Sequence, residues 1–227
     1  TTNNRYGFHQ ILASGVVRLN DMPAPINNTP IIGSNGGGVS ATKNLSENQT
    51  AVTTVSATDP DAGTTITYSI SGGADAAKFT INGSTGVLSF TTPPNYESPT
   101  DSGTNNSYVV KVRASDGALH DEQTITVNVT NVNESPSIAS NGGGASASKS
   151  VSENQTSATT VTATDPDAGT TITYSISGGA DGGKFNINAN TGVLTFKNAP
   201  NYESPTDSGA NNSYVVKVRA SDGALHD

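Results

Sequence analysis

Apolar and polar residues alternate in short runs along most of the chain. The clearest run covers residues 108–114, Tyr-Val-Val-Lys-Val-Arg-Ala, and a second covers 124–129, Thr-Ile-Thr-Val-Asn-Val. A period of two places successive side chains on opposite faces of a sheet, so each run predicts a strand with one buried and one solvated face. No stretch carries a convincing helical period. The pattern therefore predicts an all-β fold.

Turn-forming residues divide the first half of the chain into seven such segments. Gly-Gly at 72–73, Pro-Pro at 93–94, Gly83 and Gly86 interrupt the alternating runs, as turns do. The predicted strands cover residues 39–45, 51–58, 65–71, 78–81, 87–91, 107–115 and 122–130. Short strands with regular turn signals are typical of a two-sheet, Greek-key sandwich of the immunoglobulin-like kind.

The second half of the chain repeats the first. Residues 32–121 align without a gap on 138–227, an offset of about 106 residues, with about four positions in five identical. A period near 100 residues matches a complete small β domain rather than a solenoid turn. We predict an N-terminal arm over residues 1–25, one repeat over 26–131 and a second over 132–227. The second repeat lacks a counterpart of the last strand, so tandem seven-stranded sandwiches are expected with the second incomplete.

The N-terminal arm carries one strand-like run, residues 10–19, which is predicted as a single strand. It is either the last strand of a preceding repeat or a free arm. A sandwich without its last strand exposes an unpaired sheet edge, and such an edge invites pairing with another strand. The arm of one chain could therefore fill the open second repeat of another.

Composition excludes several classes of protein. The formal net charge is −8, from 11 Lys and Arg against 19 Asp and Glu, so there is no basic stripe for a nucleic-acid partner. Cysteine is absent, which excludes disulfides and thiolate metal sites. No apolar run reaches the roughly 18 residues needed to cross a bilayer, so no membrane insertion is predicted in this stretch. The start lacks the form of a signal peptide, which processing or excision would explain.

Catalysis is not predicted. His120 and His226 are repeat counterparts at a turn and His9 stands apart, so no catalytic or zinc cluster forms. No Ser lies in a nucleophile elbow, and the Gly runs at 36–38 and 142–144 lack the Lys and helix of a phosphate loop. We predict a protein that is not an enzyme.

Oxygen-bearing side chains collect around the segment that joins the two repeats. Three groups contribute: the far end of repeat 1, the linker, and the near end of repeat 2. The residues, in that order, are Glu47, Asn95 and Glu97; Asn131, Asn133 and Glu134; and Asp165, Asp167 and Asp222. Six carboxylates in one joint repel each other unless cations neutralise them. Ca²⁺ takes six to eight oxygen ligands, so the sequence predicts Ca²⁺ at this joint, where it would remove bending freedom.

The order of the motifs resembles cadherin repeats, particularly the cadherin-like repeats of large bacterial surface adhesins. The motifs are Ser-Glu-Asn, Asp-Pro-Asp, Asn-Tyr-Glu, Ala-Ser-Asp-Gly and the linker Asn-Val-Asn-Glu-Ser-Pro. In that family the corresponding positions bind calcium between successive sandwiches. The resemblance implies that a joint before repeat 1 uses Asn27, Asp59, Asp61 and Asp116. It implies that a joint after repeat 2 uses Glu153, Asn201 and Glu203.

Two departures from the family pattern each remove a charge. Asn131 stands where the family usually has Asp, and Asn95 stands where an acidic residue is frequent. Both changes predict a weaker affinity for Ca²⁺, or one fewer Ca²⁺ ion, at the central joint.

The expected function is non-enzymatic adhesion or spacing outside the cell, on a cell surface or secreted. The expected partners are neighbouring repeats or identical chains, with host-cell or matrix ligands as further candidates. An alternative is a filament subunit that polymerises by strand exchange of the N-terminal arm into repeat 2. A carbohydrate-binding module ranks third, because Trp is absent and aromatic residues are few.

Overall fold

The computed structural model describes residues 11–12, 15–16 and 26–227. The chain divides into two compact units. The first contains repeat 1 up to Pro94 together with Thr100–Val129, and the second contains Asn95–Pro99 together with Thr130–Asp227. The domain boundaries taken from the sequence, after residues 25 and 131, stay a prediction.

The N-terminal arm does not form the single strand predicted over residues 10–19. β1 (Ile11–Leu12) pairs antiparallel with β2 (Gly15–Val16), with Ile11 opposite Val16. Two parts of the segment therefore pair with each other, which one extended strand cannot do. The remainder of the arm over residues 1–25 lies outside the described residues.

The first unit is a sandwich of short antiparallel strands. Its strands are β3 (Ile31–Ile32), β4 (Ser40–Ser46), β5 (Ala51–Thr54), β6 (Ala57–Thr58), β7 (Thr67–Gly72), β8 (Phe79–Ile81), β9 (Val87–Phe90), β10 (Ser107–Ser115) and β11 (His120–Thr130). One sheet has the order β4-β11-β10-β7, a second has β5-β9-β8, and β3 pairs with β6. All seven predicted strands are present, and the all-β sandwich prediction is confirmed.

Two details of the first unit differ from the prediction. The strand predicted over residues 51–58 is divided, because the N–H of Val55 donates to the carbonyl of Gly86 (2.8 Å) rather than to a ladder partner. The side chain of Val55 is fully buried at this break. The short strand β3 was not predicted, since it has only two residues and follows Pro30.

The core of the first unit lies between the two sheets. Side chains of β10 alternate strictly between buried and half-buried, as the period of two predicts. Phe79 stacks on Phe90 with ring centroids 4.4 Å apart, and Tyr108 meets Phe90 edge-on at 5.0 Å. Such ring contacts add about 0.5–1.5 kcal/mol beyond area burial. The aromatic character of Tyr96 also predicts a core position, but this residue belongs to the second unit and is 38% exposed, so that prediction is wrong.

The second unit repeats this arrangement with fewer strands. Its strands are β12 (Ser137–Ile138), β13 (Ser157–Thr160), β14 (Ala163–Thr164), β15 (Thr173–Gly178), β16 (Phe185–Ile187), β17 (Val193–Phe196) and β18 (Lys217–Ser221). The sheets are β13-β17-β16, β15-β18 and β12-β14. Residues 146–152 are not a strand, whereas their counterpart β4 pairs with β11. Only the first two residues of β11 have counterparts, His226 and Asp227, so this segment has no strand to pair with.

The second core is correspondingly smaller. Phe185, Leu194 and Phe196 are buried. Tyr214 and Val218 are only half-buried, whereas their counterparts Tyr108 and Val112 are fully buried in the first unit. The missing sheet neighbours explain the difference.

An ion triad on the first sheet makes the stability of the first unit depend on pH. Lys111 and Arg113 on β10 both contact Glu122 on β11, and Arg113 donates to Oε1 from Nε (3.0 Å) and Nη2 (2.7 Å). Lys111 first and Arg113 second lower the pKa of Glu122 from 4.5 to about 2. A lowered pKa stabilises the fold above pH 4.5, and this contribution is lost as the pH falls towards 2.

We therefore expect Glu122→Gln to destabilise the first unit near pH 6 by up to about 1 kcal/mol, a typical limit for exposed pairs. The difference from wild type should shrink as the pH falls from 4.5 to about 2. Urea unfolding at several pH values measures it. In about 1 M NaCl, where the Debye length is about 3 Å, the difference should also shrink. A difference independent of both pH and salt would contradict an electrostatic origin.

Candidate metal centre

Within the second unit, the linker residues meet the two aspartates of the Asp-Pro-Asp turn. The amide Nδ2 of Asn131 donates to Oδ1 of Asp167 (2.7 Å), and the backbone N–H of Glu134 donates to Oδ2 of the same carboxylate (2.9 Å). Pro136, which follows, is fully buried and fixes where the linker enters the sandwich. The predicted linker ligands and Asp167 are therefore brought together.

Asp165 lies in the same Asp-Pro-Asp turn as Asp167. Its Oδ1 accepts the N–H of Asp167 (2.9 Å), which shapes the turn around Pro166. Its Oδ2 is buried and has no hydrogen-bond partner among the described residues. A buried carboxylate oxygen without a donor costs free energy unless a cation or a water molecule contacts it.

Asp222 joins the group from the turn after β18. Its Oδ1 accepts the N–H of Ala224 (2.6 Å) and of Leu225 (2.6 Å), and its Oδ2 accepts Nδ2 of Asn133 (2.6 Å). The Asn133 amide first, and then the backbone N–H groups, lower the pKa of Asp222 below its usual 3.8, although burial opposes them. The carboxylate therefore stays ionised in moderately acidic solution.

Two glutamates of the second unit also lie near each other. A carboxylate oxygen of Glu97 lies within 4.8 Å of one of Glu134, and both residues are half-buried. The side-chain oxygen of Asn95 accepts the N–H of Ser98 (2.6 Å), so it shapes its own turn. Glu47, the remaining predicted ligand of the central joint, belongs to the first unit, where it is 1% exposed.

The electrostatics of the second unit favour a cation. Five of the six predicted carboxylates of the central joint belong to it. In the described part of the chain, Lys and Arg ion pairs involve Glu122, and none reaches Asp165, Asp167 or Asp222. Neutral amides supply the contacts instead, and an amide offsets only part of a buried negative charge. All the candidate metal-ligating atoms in this set are oxygen atoms, which suits Ca²⁺ and Mg²⁺ rather than softer metals.

The first unit carries the same arrangement at the start of repeat 1. Asn27 Nδ2 donates to Oδ2 of Asp116 (2.8 Å), and Asp59 Oδ1 accepts the N–H of Asp61 (2.8 Å). Asp59 Oδ2 is buried without a hydrogen-bond partner among the described residues. The N–H groups of Ala118 and Leu119, followed by the Asn27 amide, lower the pKa of Asp116. The four residues predicted for this joint are therefore brought together.

Sequence reasoning missed Asn28. Its backbone N–H donates to Oδ2 of Asp61 (2.6 Å) and its Nδ2 donates to Oδ1 (3.0 Å). Asn28 is the repeat counterpart of Glu134, so the alignment of the repeats contained the signal. The substitution makes the start of repeat 1 one charge less negative than the start of repeat 2.

The residues predicted for a joint after repeat 2 are only partly brought together. Glu153 Oε2 accepts the N–H of Tyr202 (2.9 Å), which ties it to the Asn-Tyr-Glu segment. Asn201 Oδ1 accepts the N–H of Ser204 (2.9 Å), in the same turn that Asn95 forms in repeat 1. Glu203 is exposed.

Comparison with known proteins agrees with this architecture. The cadherin domain family matches residues 41–130 and 147–227. Protocadherin Fat 4 of Homo sapiens is 31% identical over 179 residues, which cover 77% of this chain and 3% of the relative. Cadherin EGF LAG seven-pass G-type receptor 2 of Mus musculus is 32% identical over 180 residues, covering 78% of this chain and 6% of the relative. The chain thus spans only a small part of these relatives.

Solved structures show the same fold. Mouse cadherin-23 EC22-24 superposes with a TM-score of 0.54 at 23% identity, covering 88% of this chain and 64% of that one. Human protocadherin-24 EC1-2 superposes with a TM-score of 0.54 at 20% identity, covering 86% and 88%.

Tandem β-sandwiches with carboxylates at the start of each repeat define a class of repeat protein. The chain belongs to the cadherin family. Cadherin domains generally bind Ca²⁺, and the family's members are extracellular adhesion proteins rather than enzymes. The narrower expectation of a bacterial surface adhesin stays a prediction. Among the described residues, no helix is long and apolar enough to cross a membrane.

Proposed function

We propose that this chain is a segment of an extracellular adhesion or spacer protein whose successive repeats are stiffened by Ca²⁺. The observation that carries the proposal is Asp165 Oδ2, a buried carboxylate oxygen without a donor beside Asp167 and the linker. Glu47, Asn95 and Glu97 of repeat 1 would complete the ligand set. Neighbouring repeats or identical chains are the proposed partners, and host-cell or matrix ligands are further candidates.

The amide contacts fit such a site. Asn131 and Asn133 turn their Nδ2 groups towards carboxylates. Rotation of an amide by 180° exchanges nitrogen for oxygen at nearly constant shape, so the same side chains can offer Oδ1 to a cation. The side-chain oxygen of Asn95 already forms a turn, so in the proposed site this residue would contribute its backbone carbonyl.

The Ca²⁺ affinity of the central joint determines at which Ca²⁺ concentration the joint would be stiff. Extracellular Ca²⁺ modules bind with dissociation constants of about 10⁻⁴–10⁻³ M. Asn131 and Asn95 each lack a charge that related repeats carry, which places this joint towards the weak end. Such a joint would be saturated only where Ca²⁺ is millimolar, as it is outside cells.

Calcium titration of the whole chain tests the proposal. We expect uptake of Ca²⁺ at millimolar or lower concentration in metal-free buffer, measured by isothermal titration calorimetry. Glu97→Gln removes one proposed ligand charge and should weaken the central joint at least about tenfold, the effect of 1.4 kcal/mol. Small-angle scattering should show a Ca²⁺-dependent increase in length that this variant loses.

The repeat supplies a matched control. Glu203→Gln makes the same change at the counterpart position, which would serve a different joint, so the affinity of the central joint should stay at the wild-type value. Chelation should leave both variants folded by circular dichroism. A wild-type chain that takes up no Ca²⁺ at millimolar concentration would contradict the proposal.

Strand addition is the second candidate function, and one observation favours it. Val215, next to the short strand β18, is 54% exposed, whereas its counterpart Val109 in β10 is half-buried. A strand added beside β18 would cover this edge. We expect strand-linked polymers to persist in chelator, as size-exclusion chromatography would show, and to disappear when residues 1–20 are deleted. Polymers that survive the deletion would rule this candidate out.

A further inference from the structure

The turn that joins β8 to β9 in the first unit contains the pair Asn82-Gly83, and both residues are exposed. Oδ1 of Asn82 accepts the backbone N–H groups of Ser84 (3.0 Å) and Thr85 (2.9 Å). The N–H of Gly83 donates to no partner within the described residues. A polarised amide carbonyl and an unused backbone N–H are therefore neighbours in one exposed turn.

These two groups are the reactants of deamidation. Once the Gly83 nitrogen loses its proton to hydroxide, it attacks Cγ of Asn82 and closes a succinimide ring. The Cγ–Nδ2 bond breaks, and the amide nitrogen leaves as ammonia after taking a proton from water. A second water molecule then opens the ring at either carbonyl, which gives aspartate or isoaspartate at position 82. Negative charge collects on Oδ1 during the attack, and N–H donors stabilise it as an oxyanion hole does.

The sequence contains two other Asn-Gly pairs, and the structure holds their amides differently. Oδ1 of Asn35 accepts the hydroxyl of Thr53 (2.9 Å), and its Nδ2 donates to Oε1 of the buried Gln123 (3.1 Å). Oδ1 of Asn141 accepts the hydroxyl of Thr159 (3.1 Å). Within the described residues, neither amide has the pair of backbone N–H donors found at the β8–β9 turn.

The second unit contains the same turn with a different second residue. Oδ1 of Asn188 also accepts two backbone N–H groups, from Asn190 (3.0 Å) and Thr191 (3.0 Å), but Ala189 stands in place of glycine. The Cβ of alanine crowds the attacking nitrogen and reduces the backbone freedom that ring closure requires. The two turns therefore agree at the carbonyl and differ at the nucleophile.

We propose that Asn82 is a site of intrinsic deamidation that loosens the first unit with time, whereas Asn188 leaves the second unit intact. Isoaspartate carries the main chain through the side-chain carbon, so it lengthens a turn that hydrogen bonds close. The N–H of Asn82 donates to the carbonyl of Val87 (2.9 Å), and its carbonyl accepts the N–H of Gly86 (2.8 Å). The Gly86 carbonyl in turn accepts the N–H of Val55 (2.8 Å), so a longer turn also weakens the attachment of Val55. The inference is independent of Ca²⁺.

Exchanging the second residue between the two turns tests the chemistry. A Cβ at Gly83 would lie 3.5 Å from the carbonyl oxygen of Tyr68, an ordinary contact, so Gly83→Ala should fold as wild type does. The whole chain is incubated in mildly alkaline buffer and mapped by mass spectrometry of its peptides. Asn82 should deamidate at least about tenfold faster than Asn188, a difference of about 1.4 kcal/mol in the barrier. Gly83→Ala should lower the Asn82 rate to that of Asn188, and Ala189→Gly should raise the Asn188 rate to that of Asn82.

Equal rates at Asn82 and Asn188 in the wild-type chain would overturn the inference, and so would faster deamidation at Asn35 or Asn141. In denaturant the three Asn-Gly pairs should react at similar rates, because the contacts that distinguish them are lost. A ranking that denaturant leaves unchanged would mean that the neighbouring sequence, and not the folded turn, sets the rates, which would also contradict the inference.

Hydrogen exchange resolved by residue measures the loosening. The amide of Val55 should exchange faster in fully deamidated protein than in fresh protein. The amide of its counterpart Val161, which donates to the carbonyl of Gly192 (2.8 Å), should exchange at the same rate in both. Unchanged exchange at Val55 would refute the loosening of the first unit.

Discussion

Gly86→Ala is expected to destabilise the first unit by about 3–5 kcal/mol, which is a large part of the stability of a typical domain. Two physical terms contribute. The residue has φ +70°, where an L side chain costs about 1–2 kcal/mol. A Cβ would also lie 2.0 Å from the carbonyl oxygen of Val55, which is backbone and cannot rotate away. Relief would require breaking the hydrogen bond from Val55 N–H to the Gly86 carbonyl.

Gly63→Ala separates the two terms. Gly63 has φ +84°, but a Cβ there meets nothing within 4 Å, so only the backbone term applies. We expect a loss of about 1–2 kcal/mol for this control. Denaturant unfolding followed by circular dichroism measures both variants. Equal midpoints for the two variants would mean that the close approach of Val55 to Gly86 is absent in solution.

Strand positions followed from the sequence because side-chain alternation reports burial directly. β10 was predicted with its observed ends, Ser107 and Ser115, because every second residue faces the core. The break at Val55 was not predictable, because it depends on a hydrogen bond to Gly86, about 30 residues away. β3 was missed because two residues are too short to show a period.

The candidate site followed from repetition and motif order rather than from any single residue. Asp165, Asp167 and Asp222 were placed together because the turns that carry them lie at one end of a sandwich. Asn28 was missed because the linker motif was applied to one repeat and not compared with the other. Tyr96 was predicted in the core on its aromatic character, whereas its residue surface is 38% exposed.

Tertiary hydrogen bonds of the long loops could not be predicted either. The Asp in Gly-Gly-Ala-Asp looks like an ordinary turn residue in the sequence, yet Asp75 and its counterpart Asp181 are both buried. The carboxylate oxygens of Asp75 accept N–H groups 27 and 34 residues further along the chain. Hydrogen bonds between residues so far apart in sequence leave no local sequence pattern.

Asp75→Ala is expected to destabilise the first unit by about 2–4 kcal/mol. Oδ1 of Asp75 accepts the N–H of Ser102 (2.6 Å), and Oδ2 accepts the N–H of Val109 (2.7 Å) in β10. Hydrogen bonds to a charged group contribute about 1.5–3 kcal/mol each, and a buried donor left without an acceptor adds its desolvation cost. Because the site is 5% exposed, water cannot fully replace the carboxylate.

Asp181→Ala provides the matched test in the second unit, where the same carboxylate accepts the N–H groups of Ser208 (2.7 Å) and Val215 (2.9 Å). Each variant should lower the stability of its own repeat and leave the other unchanged, which hydrogen exchange resolved by residue can measure. Asp75→Asn should be nearly as destabilising as Asp75→Ala, because an amide offers one acceptor and sets an N–H donor against the second backbone N–H. If Asp75→Asn were as stable as wild type, one hydrogen bond would suffice, and the loop would be held by packing around Tyr108 rather than by the paired acceptors of Asp75.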